Sequence, residues 1–266
     1  MKLIPELGVA APELGWVPSP TFVLRRRAIL DRVERWSPGR VLEMGCGAGA
    51  ILYDLSERGF TGVGVETSER ARVVAQALLD ARDSVRVLAA VPDDANELDY
   101  LLSFEVLEHI EDDHAALAGW VQRLRPGGTC LLSVPTHPEH WNVTDVLAGH
   151  YRRYSREDIL HLVTDVGLTP HFVSTYGWPA TWLIERVRAR VCARDLRRRG
   201  LAIEDIKLGD ALRTAESGVE RTTETKLFPY YSSAVGRLTF AGLGRLQRAF
   251  YSSDRGISYL VEAIKP

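Results

Sequence analysis

The stretch Val41-Leu42-Glu43-Met44-Gly45-Cys46-Gly47-Ala48-Gly49-Ala50 decides the fold of this chain. An apolar pair leads into three glycines spaced two residues apart, and an acid stands two residues before the first glycine. Glycines at this spacing allow a strand to turn tightly into a helix, and they let a ligand lie directly on the backbone. We therefore predict a strand, a glycine turn and a helix that together form a ligand site.

The acid at position 43 bears on which ligand this turn binds. A dinucleotide would place its anionic pyrophosphate at the turn, over the positive end of the following helix. The carboxylate of Glu43 would repel that anion, but it would attract a ligand that carries an ammonium and a sulfonium group. These residues favour S-adenosylmethionine (SAM), with NAD as the rival. Glu66 ends the next predicted strand, where it can accept hydrogen bonds from the ribose hydroxyls of either ligand.

The length and composition are typical of a globular protein. Its 266 residues, 45% of them hydrophobic, can bury one α/β core and a sizeable appendage. The net charge of −2 gives no general attraction to nucleic acid or anionic membranes. The cysteines, Cys46, Cys130 and Cys192, are odd in number and widely spaced, which argues against a disulfide framework or a zinc cluster. We find no apolar run of transmembrane length and no signal peptide, and we expect a soluble cytoplasmic protein.

Strands and helices alternate along the first two thirds of the chain, which favours an α/β fold with a parallel sheet covered on both faces. Ligands of such sheets lie at the carboxyl ends of the strands. Residues 1–20 are predicted to form an irregular arm, and Arg125–Gly128 a turn. The predicted strands are 40–43, 61–66, 85–89, 100–104, 129–134, 169–175 and 256–264, and the predicted helices are 21–36, 49–58, 68–81, 113–124 and 155–166.

The chain divides into four predicted segments. Residues 1–37 form the arm and the first helix, 38–176 the cofactor-binding core, 177–255 a helical insertion and 256–266 the last core strand. The insertion is interpreted as a lid over the sheet or as a dimerisation arm, so a homodimer is a possible assembly. Its first helix is basic, which favours a solvated face and leaves capture of an anionic substrate as the alternative. The arginines of this helix are Arg186, Arg188, Arg190, Arg194, Arg197, Arg198 and Arg199.

Three segments resemble the motifs of class I SAM-dependent methyltransferases: the glycine turn, Leu102–Ile110 and Leu124–Gly128. The resemblance implies a Rossmann-like sheet, SAM as the cofactor and Glu66 as the acid that binds the ribose. These families place a further acid after the third strand, near the adenine, but here that region reads Ala89–Asp94, and we place this contact at Ala90. The cofactor residues predicted in this way are Glu43, Gly45, Cys46, Gly47, Gly49, Glu66, Thr67, Ala90 and Phe104.

A cluster of acids and a histidine follows the fourth strand. Glu105, Glu108 and His109 have the spacing i, i+3 and i+4, which predicts that they share one side of a helical turn. Carboxylate oxygens and an imidazole nitrogen together suit magnesium, manganese or zinc. The simpler interpretation is a helix start with an exposed acid and a histidine that orients its neighbours.

The Glu-x-x-Glu-His pattern resembles ubiquinone-biosynthesis O-methyltransferases and the 2′-O-methyltransferases that modify small-RNA 3′ ends. In those families the three residues hold a metal that binds a vicinal diol or catechol, and the RNA enzymes add a later histidine, which His150 resembles. The resemblance implies a divalent metal held by Glu105, Glu108, His109 and His150. Without a metal, His109, His150 and Glu105 are the predicted catalytic base and orienting groups.

Residues 135–156 form a long polar and aromatic loop that should leave the fifth strand at its carboxyl end, where such loops contact substrate. The predicted walls of the acceptor site are Phe22, Trp141, Tyr151, Tyr154 and Trp178. We predict SAM-dependent methylation of a small molecule, most simply at a hydroxyl. The alternatives are an RNA methyltransferase, a NAD-dependent oxidoreductase and a binding protein that has lost turnover.

Overall fold

The computed structural model describes residues 1–198, 200 and 221–266. Arg199 of the basic helix and residues 201–220 of the predicted insertion lie outside the described residues. The strands are β1 (Lys2–Ile4), β2 (Gly8–Ala10), β3 (Arg40–Met44), β4 (Thr61–Val65), β5 (Val85–Leu88), β6 (Leu98–Phe104), β7 (Leu124–Pro135), β8 (Thr169–Tyr176) and β9 (Ser258–Ile264). The α-helices are α1 (Pro20–Val33), α2 (Ala50–Ser56), α3 (Glu69–Leu79), α4 (Asp113–Val121), α5 (Val143–Ala148), α6 (Arg156–Asp165), α7 (Ala180–Arg198), α8 (Thr222–Tyr231) and α9 (Ala234–Arg248).

Seven strands form the central sheet in the order β5-β4-β3-β6-β7-β9-β8. The pairs from β5 to β7 are parallel, whereas β9 runs antiparallel to both β7 and β8. Neighbouring side chains of one strand enter two separate cores, Val41 with α1–α3 and Leu42 with α4 and α6, so both faces of the sheet are covered. The predicted α/β architecture is confirmed.

Two local predictions are wrong. Residues 1–20 are not an irregular arm, because β1 and β2 pair as a hairpin and Leu7 and Trp16 are buried. Arg125–Gly128 is not a separate turn, because β7 runs through it from residue 124. The extra residues form an irregularity in the pairing between β6 and β7, at which Gly127 has a φ of +73°. Both patterns contain prolines and glycines, which mark edges and bulges as readily as loops.

The predicted insertion is helical where the structure describes it. Helix α9 packs against α1, and Phe228 of α8 lies in a small core with Leu7 and Val17 of the N-terminal segment. Four apolar side chains of α7 are exposed, Leu183, Ile184, Val187 and Val191, whereas Leu196 is buried. Whether the segment is a lid or a dimerisation arm stays a prediction, as does the division into domains. None of the described helices is both long enough and apolar enough to span a membrane.

A buried ion pair fastens α1 to α2 beside the glycine turn. Arg26 donates from Nε and Nη2 to the two carboxylate oxygens of Asp54, each at 2.5 Å, and both side chains are less than a tenth exposed. Such a bidentate pair is held by two strong hydrogen bonds, and removal of one partner leaves the charge of the other buried and uncompensated.

We expect Arg26→Met to lower the free energy of unfolding by about 3–5 kcal/mol, because it leaves the Asp54 carboxylate buried without its partner. Urea denaturation followed by circular dichroism measures the change. The control is Arg27→Met, whose side chain is half exposed and pairs with Asp31, with an expected cost below about 1 kcal/mol. Equal losses in the two variants would contradict the importance of the buried pair.

Candidate active site

The glycine turn lies between β3 and α2, as its sequence predicts. Gly45, Gly47 and Gly49 have φ values of +66°, +54° and +71°, a left-handed conformation that side chains disfavour. A Cβ atom on Gly45 would lie 2.4 Å from Cγ2 of Val106, whereas one on Gly47 would meet open space. The turn therefore exposes its backbone to the cavity at the carboxyl ends of the strands.

This cavity has a volume of about 730 Å³, within the range of roughly 300–1,000 Å³ typical of ligand pockets. Seven of the nine predicted cofactor residues line it: Glu43, Gly45, Cys46, Gly47, Glu66, Thr67 and Phe104. Gly49 and Ala90 are not in its lining. Gly49 faces Leu79 and Ala75 of α3, so its small size serves helix packing, and Ala90 is exposed beyond the end of β5. The cofactor contacts predicted for these two positions stay predictions.

Glu66 joins the two loops that border the cavity. Its Oε2 accepts a hydrogen bond from the backbone N–H of Gly47 at 3.0 Å, and its Oε1 accepts one from Ser68 at 2.8 Å. Each oxygen keeps a second lone pair that can accept a ligand hydroxyl. The carboxylate is thus held in place for binding a diol such as ribose.

Glu43 is buried, at 3% exposure, and its Oε2 has no hydrogen-bond partner among the described residues. Burial raises the pKa of Glu43 to about 8, the nearby charge of Arg25 opposes this, and Glu66 adds to it. A cation that enters the cavity would therefore favour the ionised form of this carboxyl group.

Arg25 is a residue of this cavity that the sequence analysis missed. Its Nε is buried without a hydrogen-bond partner in the described part of the chain, and its guanidinium lies 5.5 Å from the ring centroid of Phe22. In the sequence, Arg25, Arg26 and Arg27 are consecutive arginines that nothing distinguishes from one another. The orientation of α1 about its axis places Arg25 in the cavity, Arg26 against Asp54 and Arg27 towards solvent.

Glu108, His109 and His150 come together on another wall of the cavity. One potential ligand atom from each lies within 4.8 Å of those of the other two. Glu108 is fully buried, and neither of its carboxylate oxygens nor Nδ1 of His109 has a hydrogen-bond partner among the residues described. Buried polar atoms without partners are rare in proteins. These potential ligand atoms therefore fit a divalent cation or a polar group of a substrate.

Burial controls the protonation of this cluster. It raises the pKa of Glu108 well above its ordinary value, and the charge of Glu105 adds to this shift. Burial lowers the pKa of His109 to about 4, assisted by His150, whose ring lies 4.7 Å away between centroids. His109 is therefore neutral at physiological pH, with a nitrogen that can accept a proton or bind a metal.

His150 is oriented by a buried acid. Its Nδ1 lies 2.9 Å from Oδ1 of Asp145, which is 1% exposed and also accepts a hydrogen bond from Nε of Arg153 at 2.8 Å. This contact assigns the ring proton to Nδ1 and leaves Nε2 as an acceptor. Carboxylates orient ligand and catalytic histidines in this way in many enzymes.

Glu105 does not join the cluster, which corrects the expected helical turn. Its φ is +57°, and a 3-10 turn at Leu107–His109 replaces the helix, so the spacing i, i+3 and i+4 no longer aligns the three side chains. The Glu105 carboxylate instead accepts hydrogen bonds from Ser133 at 2.8 Å, Tyr176 at 2.9 Å and Ser258 at 3.1 Å. Glu105 lines the cavity, but these three hydrogen bonds occupy most of the acceptor positions of its carboxylate.

The aromatic residues that were predicted to line the acceptor site do not all lie at the cavity. Phe22 and Tyr151 line the cavity, but Trp141, Tyr154 and Trp178 do not. Trp141 is 39% exposed, Tyr154 is buried with its hydroxyl bonded to Asp113 at 2.7 Å, and Trp178 packs edge-on against Trp182. The sequence shows that these residues are aromatic, whereas the direction of each ring depends on the path of the loop.

Comparison with known proteins identifies the family. Residues 24–171 match the family described as a methyltransferase domain, which is more than half of the chain. The chain belongs to this methyltransferase family. The resemblance to class I SAM-dependent methyltransferases is thereby confirmed, and the interpretation as a NAD-dependent oxidoreductase is rejected.

A curated relative of this methyltransferase is the ubiquinone biosynthesis O-methyltransferase of Aromatoleum aromaticum, 31% identical over 110 residues. The match covers 39% of this chain and 47% of the relative, so the chain spans about half of the relative's length.

Solved structures share the fold of this methyltransferase. Haemonchus contortus phosphoethanolamine N-methyltransferase 2, solved with SAM, has a TM-score of 0.53 at 20% identity, covering 91% of this chain and 52% of that one. The cyclase SpnF has a TM-score of 0.55 at 15% identity, covering 99% and 87%. A methyltransferase and a cyclase thus share one architecture, and the reaction has to be argued from the site.

Proposed function

We propose that this methyltransferase binds SAM in the 730 Å³ cavity and transfers its methyl group to a hydroxyl of a small molecule. One observation carries the cofactor assignment: Glu43, Arg25 and Glu66 line the same cavity beside the glycine turn. They match the ammonium, the carboxylate and the ribose hydroxyls of SAM respectively. Each of these three groups of SAM would thus have an oppositely charged or hydrogen-bonding partner in the protein.

The acceptor would lie at the wall formed by Glu108, His109 and His150. Methyl transfer from a sulfonium is an in-line displacement, which needs positioning of the hydroxyl and removal of its proton. Nε2 of His150, with Asp145 holding its ring, is the proposed proton acceptor. The O-methyltransferase activity in the curated relative's name supports oxygen as the acceptor atom.

Glu108, His109 and His150 are also the residues that would hold a divalent cation, since each has a donor atom without a protein partner or directed at the others. Such a cation, when bound, would lower the pKa of an acceptor hydroxyl. Glu105 is not proposed as a ligand, because its carboxylate is bonded to three hydroxyl groups.

The experiment that tests the function has two parts. Calorimetric titration with SAM, S-adenosylhomocysteine (SAH) and NADH tests the cofactor, and tight NADH binding without SAM or SAH binding would reject the proposal. Incubation with labelled SAM and metabolite extracts, followed by mass spectrometry, identifies the acceptor and the methylated atom. An RNA acceptor, the alternative, would be revealed by binding to oligonucleotides that weakens steeply with salt.

Binding of SAM is expected to release a proton from Glu43 at pH 7. The pKa of about 8 keeps this group largely protonated in the free protein, and the ammonium of SAM would favour its ionised form. The release should disappear at pH 9, where Glu43 is already ionised, and in the Glu43→Gln variant. Calorimetry in buffers of different ionisation enthalpy counts the protons. Equal release by Glu43→Gln would assign the proton to another group.

A further inference from the structure

Helix α7 carries an apolar stripe that faces solvent. Leu183, Val187 and Val191 follow one another at intervals of four residues, and Ile184 lies beside them, so the four side chains share one side of the helix. Each of these residues is 40–61% exposed. The helix packs against α1 and α5 with its opposite side, on which Leu196 is buried. Contiguous exposed apolar residues with a polar rim are typical of interaction surfaces.

Arginines lie on the same side of α7 as the stripe. Arg190, Arg194 and Arg198 each follow a residue of the stripe by seven positions, which is two helical turns, so they continue the stripe towards the end of the helix. We call the four apolar residues and these three arginines the α7 face. Three further arginines of the helix are also exposed: Arg186, Arg188 and Arg197.

The acids of α7 do not balance this charge. The helix contains two acids, the exposed Asp195 and the half-buried Glu185, whose carboxylate lies 3.9 Å from the guanidinium of Arg188. Six exposed arginines against two acids leave the helix clearly positive, although the whole chain has a net charge of −2. The α7 face is therefore a local surface that is both apolar and basic.

A bilayer of anionic lipids offers a partner to both parts of this surface. Amphipathic helices of this kind lie in the plane of the membrane, with the apolar side chains at the boundary between head groups and acyl chains. The arginines can bury their aliphatic stems there and extend their guanidinium groups to the lipid phosphates. Such a helix lies on the bilayer rather than crossing it, in agreement with the absence of a membrane-spanning helix among the described residues.

Two other partners match the α7 face less well. A nucleic acid would bind the arginines but leave the aliphatic stripe without a partner, since single-stranded nucleic acids stack on aromatic side chains. A second copy of the chain would cover the stripe, but a symmetric dimer joins identical surfaces and would bring the arginines of both copies together. Charge and apolarity together therefore favour the anionic bilayer.

We propose that the α7 face binds the surface of membranes that contain anionic lipids. The inference goes beyond the proposed function and does not depend on it. It gives the helical insertion a role as a membrane-docking element. Because Arg188 of the same helix lines the 730 Å³ cavity, docking would hold this cavity close to the bilayer.

Co-sedimentation of the full chain with lipid vesicles, in the absence of SAM, tests the inference. Vesicles of phosphatidylcholine and phosphatidylglycerol in equal parts are compared with vesicles of phosphatidylcholine alone. We expect saturable binding to the mixed vesicles, which weakens at high salt, and no comparable binding to the neutral ones.

The basic part of the face is tested by the double variant Arg190→Gln/Arg194→Gln, which should weaken binding to the mixed vesicles about 30-fold. Its matched control is Arg58→Gln/Arg70→Gln, which removes the same charge at two exposed positions outside α7 and should leave binding nearly unchanged. All four arginines are exposed, so folding should persist in both variants, as circular dichroism would show.

The apolar part is tested by Val191→Gln, which should weaken binding about tenfold. Its control is Val73→Gln on α3, because Val73 is exposed to a similar degree, 55% against 61%, and the variant should bind as the wild type does. The requirement for both parts of the face distinguishes membrane docking from attraction between charges alone.

Several outcomes would overturn the inference: no binding to either kind of vesicle, equal binding to both, equal losses in a variant and its control, or binding that Val191→Gln leaves unchanged. Tighter binding to a single-stranded RNA homopolymer than to the mixed vesicles would assign the face to nucleic acid instead. A dimer in analytical ultracentrifugation that Val191→Gln dissociates, without vesicle binding by the wild type, would assign it to a second copy of the chain.

Discussion

Glu108→Gln is expected to lower kcat/KM for the acceptor by about 10²–10⁴-fold while SAH affinity changes little. Its carboxylate is fully buried, has no protein partner among the described residues and lies with His109 and His150 at the proposed reacting wall. An amide of the same shape keeps the packing but loses the ionisable carboxyl group that would hold a cation beside His109 and His150. Steady-state kinetics with the identified acceptor measure the effect, and SAH calorimetry confirms that the cofactor site is intact.

Glu111→Gln is the matched control, because its side chain is exposed a few residues further along the same segment. Chelation separates the two roles of the cluster. If turnover survives exhaustive chelation and Glu108→Gln leaves it unchanged, no metal acts at this site. If turnover survives chelation but Glu108→Gln abolishes it, the cluster positions the substrate and its proton without a metal.

Gly45→Ala is expected to weaken SAM and SAH binding by at least about 100-fold, equivalent to about 3 kcal/mol. A methyl group there would lie 2.4 Å from Cγ2 of Val106, and the φ of +66° costs an alanine about 1–2 kcal/mol. The turn must then shift, and the backbone that is proposed to contact the cofactor shifts with it. Calorimetry with SAH measures the loss, and circular dichroism shows whether the fold persists.

Gly119→Ala serves as the control for this substitution. Gly119 lies within α4, where an added Cβ meets nothing within 4 Å, so the variant should bind SAH normally and gain up to about 1 kcal/mol in stability. Wild-type affinity in Gly45→Ala would show that the glycine turn does not hold the cofactor.

Much of the fold could be predicted because its signals are local. The strand before Gly45, the glycine turn and the acid at position 66 are each read from a few neighbouring residues, and their structures agree with the prediction. The N-terminal hairpin was missed because its strands have only three residues each, and its stability comes from contacts with residues far along the chain, such as Phe228. Arg25 was missed for a related reason, since it differs from its neighbours only in the direction that α1 gives it.

The sequence by itself determined that this chain forms a class I methyltransferase sheet and where the glycine turn lies, because glycine conformation and strand periodicity are properties of short segments. Only the tertiary structure decided which polar residues meet in the cluster proposed to hold the acceptor. His150 reaches Glu108 and His109 because α5 and Asp145 direct it there, whereas Glu105, next to them in sequence, is turned away to Ser133, Tyr176 and Ser258. Side-chain direction depends on packing between distant segments, which spacing along the chain does not specify.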